Sequence, residues 1–300
     1  MKQTAGHWQP DRWPAYFISA NMETLRWAQP YCPHLLVAVN ELLGPRRDEY
    51  VVELQQFVES GSKVLLDSGV YWLSTQHAEA HGITMDQALG MAPADVDGFD
   101  ELFTAYVSLA KHLGDSLWGY IEIDQGGRDN KIKTRAKLER MGLRPMPVYH
   151  PINDGWDYFD ELASKYDRIC FGNIVNADQA TRLRLIATAW ERRRRFPHLW
   201  IHLLGMTPSH VTNAYPMNSC DSSTWIMAVR WGPPHTTVAM TNRDTLGIEF
   251  CYEQSSHRDD EDGHRKARAL CGYDAQITCR QMVSMLDEQR RELGVDPVAP

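Results

Sequence analysis

The chain has 300 residues, of which 43% are hydrophobic and 23% charged, and its net charge is −8. These values are typical of a globular protein with a full core, and the acidic balance argues against general coating of nucleic acid. No apolar run reaches the ~18 residues of a membrane span, and the N-terminal residues lack the apolar segment of a signal peptide. We therefore expect a cytoplasmic protein with reduced cysteines and no membrane partner.

Short apolar runs follow one another along the chain and are candidate strands. They are Tyr16–Ala20, Leu35–Val39, Lys63–Leu66, Trp118–Ile123, Met146–Tyr149, Arg168–Phe171, Trp200–Leu204 and Met217–Cys220. Several intervals contain amphipathic helical segments, namely Phe99–Leu113, Lys131–Met141, Tyr158–Tyr166 and Ala177–Phe196. Strands that alternate with helices indicate parallel βαβ units, and eight such units predict an α/β fold, a single (β/α)8 TIM-type barrel over residues 1–300.

The residues after the last predicted strand are too many for one barrel helix. The segment Cys279–Leu293 has a helical pattern and is a candidate for the helix that closes the barrel. Residues 233–273 would then form an inserted C-terminal subdomain ahead of that helix.

A polar residue or a glycine follows each predicted strand: Asn21, Asn40, Asp67, Asp124, His150, Gly172, Gly205 and Asp221. In a barrel these positions share the rim at the carboxyl ends of the strands, where barrel enzymes place their chemistry. The alternative interpretation is that they are ordinary turn residues, because turns favour Asp, Asn and Gly. The aspartates count for more, since burying neighbouring carboxylates is costly unless they have a task or a partner.

The segment 63–72 combines a strand end with residues suited to a flat ligand. Asp67, Ser68 and Gly69 follow the strand, and Tyr71 comes two residues later. Glycine permits a tight turn or a close approach of the backbone to a ligand. The alternative is a plain strand-to-turn signal.

The segment 119–127 places Glu122 and Asp124 on the same face of a strand, two residues apart. We expect one of the two side chains to point into the barrel. An ionised carboxylate only accepts hydrogen bonds, so it can select a base edge with adjacent donors, as guanine presents at N1 and N2.

Three later segments add candidate ligand contacts. Gly172 and Asn173 follow one strand, Gly205 follows the next, and Asp221 ends the last. We expect the glycines and the asparagine to offer backbone and amide groups to a ligand.

The order of the segments LLDSGVYW, EIDQGG, CFGNIV, HLLGMTPSHV and SCDSSTW resembles the tRNA-guanine transglycosylase family, closest to its DNA-modifying relatives from phage and bacterial 7-deazaguanine clusters. The resemblance covers roughly residues 63–232. It implies an enzyme that exchanges guanine in a polynucleotide for a 7-deazaguanine such as preQ0. It also implies a bacterial or phage-infected host cell.

The resemblance implies roles for the matching residues. Asp221 would be the nucleophile that bonds to the sugar, and Asp67 the second carboxylate, which moves protons as the bases exchange. Asp124 would bind the guanine edge, and Tyr71 would stack on the base. The remaining members of the predicted substrate-binding set are Ser68, Gly69, Gly172, Asn173, Gly205 and His150, the last from its place on the rim.

The chain departs from the family at its zinc motif, Cys-x-Cys-x-x-Cys with a distant His. Metal-ligand residue types do occur after the last strand, at loose spacing, so zinc is a candidate cofactor but not an assigned one: Cys251, His257, His264, Cys271 and Cys279. The basic phosphate-binding region of the tRNA enzymes is not evident. Because the chain is short and lacks the zinc pattern, we favour DNA over tRNA as the polymer, and a homodimer or an accessory subunit stays open.

Two other functions fit the same residues. A barrel N-glycosidase or glycoside hydrolase would use the same carboxylates with water as the acceptor. A non-catalytic transglycosylase subunit is the other alternative, although such a subunit has no reason to keep Asp221.

Two basic or titratable features are expected to be structural. The run Arg192–Arg195 ends a predicted helix, where exposed cations suit the negative C-terminus of the helix dipole. His202 lies in the middle of a predicted strand, and we expect it in the core.

Overall fold

The computed structural model of the chain describes residues 15–29, 32, 34–175, 177–207, 215 and 217–224, without the side chain of residue 27, and the backbone of 238–240 and 250–252. The predicted closing helix Cys279–Leu293 lies outside the described residues. Of the predicted subdomain 233–273, the described part is an antiparallel pair of short strands, Val238–Met240 and Phe250–Tyr252.

The main sheet has eight strands, and they run parallel. In chain order they are β1 Ala15–Ser19, β2 His34–Ala38, β3 Lys63–Asp67, β4 Gly119–Tyr120, β5 Val148–Tyr149, β6 Arg168–Phe171, β7 Trp200–Leu203 and β8 Ser219–Ser222. Neighbours in the sheet follow the order β4-β3-β2-β1-β8-β7-β6-β5.

At least one α-helix follows each of the first six strands. The helices are α1 Met22–Ala28, α2 Arg47–Glu59, α3 Val70–His81, α4 Met85–Gly90, α5 Phe99–Leu113, α6 Gly127–Arg140, α7 Trp156–Lys165 and α8 Gln179–Arg193. Side-chain caps fix two of the starts: Asn21 accepts from the N–H of Thr24, and Asp178 accepts from the N–H of Thr181. Asn21 thus has a structural task at the start of α1.

The described residues divide into two compact units, one within residues 36–149 and the other made of residues up to 35 and from 150 onward. In the first unit β3 pairs with β4, and the bridge Ile121↔Met146 joins the chain after β4 to the chain before β5. The N–H of Met146 donates to the carbonyl of Tyr120 at 2.8 Å. Within this unit, the chain that follows β4 is thus bridged to the chain that precedes β5.

In the second unit, β1, β8, β7 and β6 are successive parallel neighbours. The register sets Phe17 opposite Asp221 and His202 opposite Ser219. Side chains alternate along a strand, and those of register partners point to the same face. These four side chains therefore share one face of this part of the sheet.

The α/β class and all eight predicted strands are confirmed, with one shift that matters for function. The last strand is Ser219–Ser222, two residues later than predicted, because it pairs along its length with Ala15–Ile18 of β1. Asp221 therefore lies inside the strand and not after it. Closure of the sheet into a complete barrel stays a prediction.

The run Arg192–Arg195 is only partly solvated, which corrects the prediction. Arg192 and Arg195 both donate to the Asp160 carboxylate of α7, at 2.8 and 2.6 Å. Arg193 is 4% exposed, and burial lowers its pKa to about 9. The run thus contributes to the packing of α8 against α7.

In the described part of the chain, no helix has the length and apolar character that a membrane crossing requires.

We predict that Gly69→Ala destabilises the protein more than Gly82→Ala. Both glycines are left-handed, with φ of 78° and 65°, a conformation that costs an L side chain about 1–2 kcal/mol. A Cβ at Gly82 meets nothing within 4 Å, whereas a Cβ at Gly69 would lie 3.0 Å from Oδ1 of Asn40 and 3.2 Å from Cδ1 of Leu102. Urea unfolding measures the difference, and equal losses would contradict the argument from contacts.

Candidate active site

The carboxylate of Asp221 is held at one of its two oxygens. Asp221 is 7% exposed, and its Oδ1 accepts from Nε2 of His202 at 3.0 Å and from the N–H of Gly205 at 3.0 Å. Among the described residues, both donors that reach this carboxylate bond Oδ1, and Oδ2 accepts from none of them. Within the described part of the chain, one oxygen is thus held by two donors and the other by none.

The donor His202 belongs to a chain of hydrogen bonds within the sheet. Nε1 of Trp200 donates to Oγ of Ser219 at 2.7 Å, and that hydroxyl lies 2.8 Å from Nδ1 of His202. An indole nitrogen only donates, and an ionised carboxylate only accepts. With a neutral imidazole the chain then has one consistent direction: Trp200 to Ser219, Ser219 to Nδ1 of His202, and Nε2 of His202 to Asp221.

This direction decides what His202 can do. Both ring nitrogens are engaged, and the residue is 0% exposed, so the imidazole has no nitrogen available to take a proton from a substrate. Phe17 packs edge-on against the ring at a centroid distance of 5.6 Å. The predicted core position is correct, but His202 also positions Asp221, a role that the sequence analysis missed.

The opposite face of β8 is anchored by a second hydrogen-bonded group. The hydroxyl of Ser222 lies 2.8 Å from the hydroxyls of Tyr16 and Thr207. Burial raises the pKa of Tyr16 well above its ordinary value, so its phenol stays neutral. These contacts fix the residue next to Asp221 and so help to hold the backbone that carries the carboxylate.

The loops after β6 and β7 meet beside Asp221. Gly205 has a φ of 68°, and a Cβ there would lie 2.6 Å from Cγ2 of Val175 in the preceding loop. Gly172 is buried directly after β6, and exposed Asn173 has a φ of 56°, in the left-handed region that Asn tolerates. The structure gives Gly205 a definite task, which is to present its N–H to Asp221.

The Asp67 turn lies in the unit formed by residues 36–149. Asp67 is half-buried at the end of β3, and its Oδ2 accepts from the N–H of Gly69 at 3.0 Å. Ser68 is 2% exposed, and its hydroxyl accepts from the N–H of Val70 at 3.5 Å. Oδ2 of Asp67 and the hydroxyl of Ser68 thus both accept hydrogen bonds from the backbone of the turn that starts α3.

The aromatic residue predicted to stack on a base is exposed. Tyr71, in the first turn of α3, is 68% exposed, and its neighbour Trp72 is 40% exposed. Large exposed aromatic rings are available to flat ligands.

The segment after β4 separates into one half-buried and two buried polar residues. Asp124 is half-buried. Gln125 is fully buried: its Oε1 accepts from the Ser74 hydroxyl at 2.9 Å, and its Nε2 donates to the carbonyl of Ala88 at 2.7 Å. Gln125, which the sequence analysis did not single out, therefore ties this segment to α3 and α4.

Glu122 is the other buried residue of this segment, and it forms an ion pair. Its Oε2 accepts from Nη1 of Arg135 at 2.8 Å, and its Oε1 accepts from the N–H of Val148 at 2.6 Å. Burial raises the pKa of Glu122 to about 7, against the opposing effects of Arg135, Lys131 and that N–H. Glu122 thus belongs to the packing of α6.

His150 and the candidate zinc ligands are the remaining residues that the sequence singled out. The N–H of His150 donates to Oδ2 of Asp154 at 2.9 Å, within the turn that leads to α7. Of the candidate zinc ligands, Cys251 lies in the described strand Phe250–Tyr252, without its side chain, and the others lie outside the described residues: His257, His264, Cys271 and Cys279.

Comparisons with known proteins give no family for this chain. No family model matches it, and no curated protein matches it. Among solved structures, it is similar to a protein from Aquifex aeolicus VF5 that is described only as a structural study, with 9% identity, a TM-score of 0.44, and coverage of 91% of this chain and 94% of that chain. This similarity gives no information about activity.

We predict that Arg135→Met lowers the free energy of unfolding by an amount that approaches about 3–5 kcal/mol as the pH rises above 7, where the Glu122 carboxyl is ionised in the native protein and loses its buried cation. The loss should shrink as the pH falls. The pKa of Glu122 is higher in the folded protein than in the unfolded chain. Protonation of Glu122 therefore stabilises the folded state, and this contribution is fully present below the unfolded pKa. It is lost as the pH rises through the folded pKa.

Urea unfolding at several pH values measures this effect. The double variant Glu122→Gln/Arg135→Met, which removes both charges, is the control and should recover most of the loss. A loss that is independent of pH and is not recovered in the double variant would contradict the ion-pair interpretation.

Proposed function

We propose that the chain is a glycosyltransferase of guanine-transglycosylase type with a (β/α)8 barrel. It exchanges guanine in DNA for a 7-deazaguanine such as preQ0, through a covalent intermediate on Asp221, in the cytoplasm. The sequence resemblance supports base exchange as the class of reaction. The hydrogen bonds of Asp221 support its role as the nucleophile. The bridge Ile121↔Met146 lies between the chain that follows β4 and the chain that precedes β5, the two end strands of the sheet order, and this supports barrel closure.

The half-held carboxylate of Asp221 is the observation that carries the proposal. A nucleophilic carboxylate has to be oriented through one oxygen while the other reaches the anomeric carbon. Two donors fix Oδ1, and Oδ2 accepts from no described residue. A carboxylate with a purely structural task would be expected to have both oxygens satisfied at 7% exposure.

In the first half of the reaction, Oδ2 of Asp221 forms a bond to C1′ of the sugar as the bond from C1′ to guanine N9 breaks. The electron pair leaves with the base. Asp67, in its acid form, gives a proton to the departing guanine. The product is a covalent ester between the sugar and Asp221, as in a retaining glycosidase.

In the second half, the incoming 7-deazaguanine loses its N9 proton to the Asp67 carboxylate. Its nitrogen then bonds to C1′, and the electron pair of the ester bond returns to Asp221. At the end of the cycle Asp221 is again a carboxylate and Asp67 is again in its acid form.

The other predicted residues bind the base. Asp124 accepts from the guanine N1 and N2 donors, and the exposed ring of Tyr71 stacks on the base. Gly172, Asn173 and His150 border the base through backbone and polar groups. A base in a duplex has to be extruded first, so single-stranded or looped DNA is the better substrate. The polymer is DNA in preference to tRNA, and a second copy or an accessory subunit that delivers it is part of the proposal.

We predict base exchange by the purified full-length chain. Radiolabelled guanine or preQ0 is incubated with single-stranded DNA, duplex DNA or tRNA, and label in the polymer is counted. Label should enter DNA with the native chain and be lost with Asp221→Asn. The matched control is Asp178→Asn, because Asn caps α8 as well as Asp does.

The outcomes separate the alternatives. A denaturation-resistant adduct between DNA and protein, formed without incoming base and absent in Asp221→Asn, supports the nucleophile. Release of free guanine without incorporation would replace the proposal with the hydrolase alternative. Equal incorporation by Asp221→Asn would overturn the role of Asp221, and folded protein inactive on every polymer would overturn the activity of the chain alone.

We further predict that His202→Phe lowers kcat by about 100-fold, the order of magnitude that a small misplacement of a reacting group costs. His202→Gln, which keeps an N–H donor on the side of Asp221, should retain more of the rate. Because His202 is not expected to touch the substrate, KM should change little in either variant. A change in KM alone, or equal loss in both folded variants, would contradict a positioning role.

A further inference from the structure

Two histidines and one aspartate converge within the unit formed by residues 36–149. His77 and His81 lie on α3, and Asp97 lies two residues before α5. Nε2 of His81 is 2.6 Å from Oδ2 of Asp97, and Nδ1 of His77 is 3.3 Å from the same oxygen. The ligand atoms of the three residues all lie within 4.8 Å of one another.

The hydrogen bonding of His77 leaves an electrostatic conflict in this group. Nδ1 of His77 accepts from the N–H of Asp97 at 3.2 Å, so this nitrogen carries a lone pair and no hydrogen. The Asp97 carboxylate also only accepts. Two acceptor atoms 3.3 Å apart repel each other. Because the single lone pair of Nδ1 accepts the N–H of Asp97, a cation at this nitrogen would replace that N–H as its partner and turn the repulsion into attraction.

The spacing of the histidines suits such a cation. His77 and His81 are four residues apart on one helix, so their rings share a face, with centroids 4.3 Å apart. Two histidines at this spacing are a known helical zinc-binding arrangement. Nitrogen and oxygen ligands about 2.0–2.1 Å from a tetrahedral zinc ion lie about 3.3 Å from each other. The distance from Nδ1 of His77 to Oδ2 of Asp97 has this value. Nε2 of His81 lies 2.6 Å from the same oxygen, which is a hydrogen-bond distance, so His81 would exchange this bond for the ion.

We propose that His77, His81 and Asp97 form a binding site for a divalent transition metal ion, with Zn²⁺ as the reference ion. Three protein ligands leave at least one coordination position to water. The His77 side chain is 4% exposed, whereas those of His81 and Asp97 are 50% and 73% exposed. The ion enters from solvent, and His77 anchors it to the packed side of α3.

The metal ion would add a link between α3 and the start of α5. Its ligands come from the last two turns of α3 and from the residue before Gly98, the N-cap of α5. Metal binding is therefore expected to stabilise the junction between these helices.

Metal titration of the full-length chain tests the site. Zn²⁺ uptake is measured against a chromophoric chelator, and Co²⁺ is added to a second, metal-free sample for its visible absorption. The variants His81→Ala and Asp97→Asn each remove one exposed ligand, and circular dichroism checks their folding. His112→Ala, an exposed histidine of α5, is the matched control.

The native chain and His112→Ala should bind one equivalent of Zn²⁺ more than the two ligand variants, or bind that equivalent at least about 10-fold more tightly. Loss of even a supporting group weakens metal sites by that factor. The Co²⁺ spectrum of this equivalent should lack the near-ultraviolet band of thiolate ligation, which separates it from any site built on the C-terminal cysteines. Equal stoichiometry and affinity in all four proteins would overturn the proposal.

Discussion

The hydrogen bond from Nε2 of His202 to Oδ1 of Asp221 is the contact on which the candidate active site depends. A carboxylate that is 7% exposed needs donors to offset lost hydration. The bond ties β7 to β8, and its direction is set two residues away, where the indole of Trp200 can only donate to Ser219. The carboxylate is thus held by the pairing of parallel strands, and among the described residues both of its donors bond Oδ1.

Much of the fold follows from local sequence. The apolar runs and the helical periods between them predict the strands and helices, and Phe99–Leu113 and Arg168–Phe171 have the observed bounds. Other helix and strand boundaries depend on the backbone conformation of single residues or on the pairing of strands. The helix predicted from Lys131 starts at Gly127, because Gly126 is a left-handed N-cap that the apolar pattern does not register. β8 is set by its register with β1, a contact between residues about two hundred positions apart in the chain.

The candidate site was predictable as a set of residue types, but not as a set of bonds. The strand-end pattern singles out Asp221, Asp67 and Gly205, yet nothing local shows that His202 and Gly205 both donate to Asp221. In the same way, Glu122 looks like a second ligand carboxylate until Arg135 is found beside it. Pairing across strands and helices decides such partners. The one available signal was that His202 lies three residues before Gly205, the glycine that follows the same strand.

In the proposed reaction, Asp221 has to depart as well as attack. Donors on Oδ1 stabilise the carboxylate anion, which reduces its affinity for the sugar but makes the ester easier to break. A carboxylate without these donors would be trapped as a stable ester, and one with donors on both oxygens would attack poorly. Two bonds on a single oxygen place Asp221 between these limits, as a leaving group of intermediate quality. That balance suits an exchange in which both half-reactions pass through the same bond to C1′.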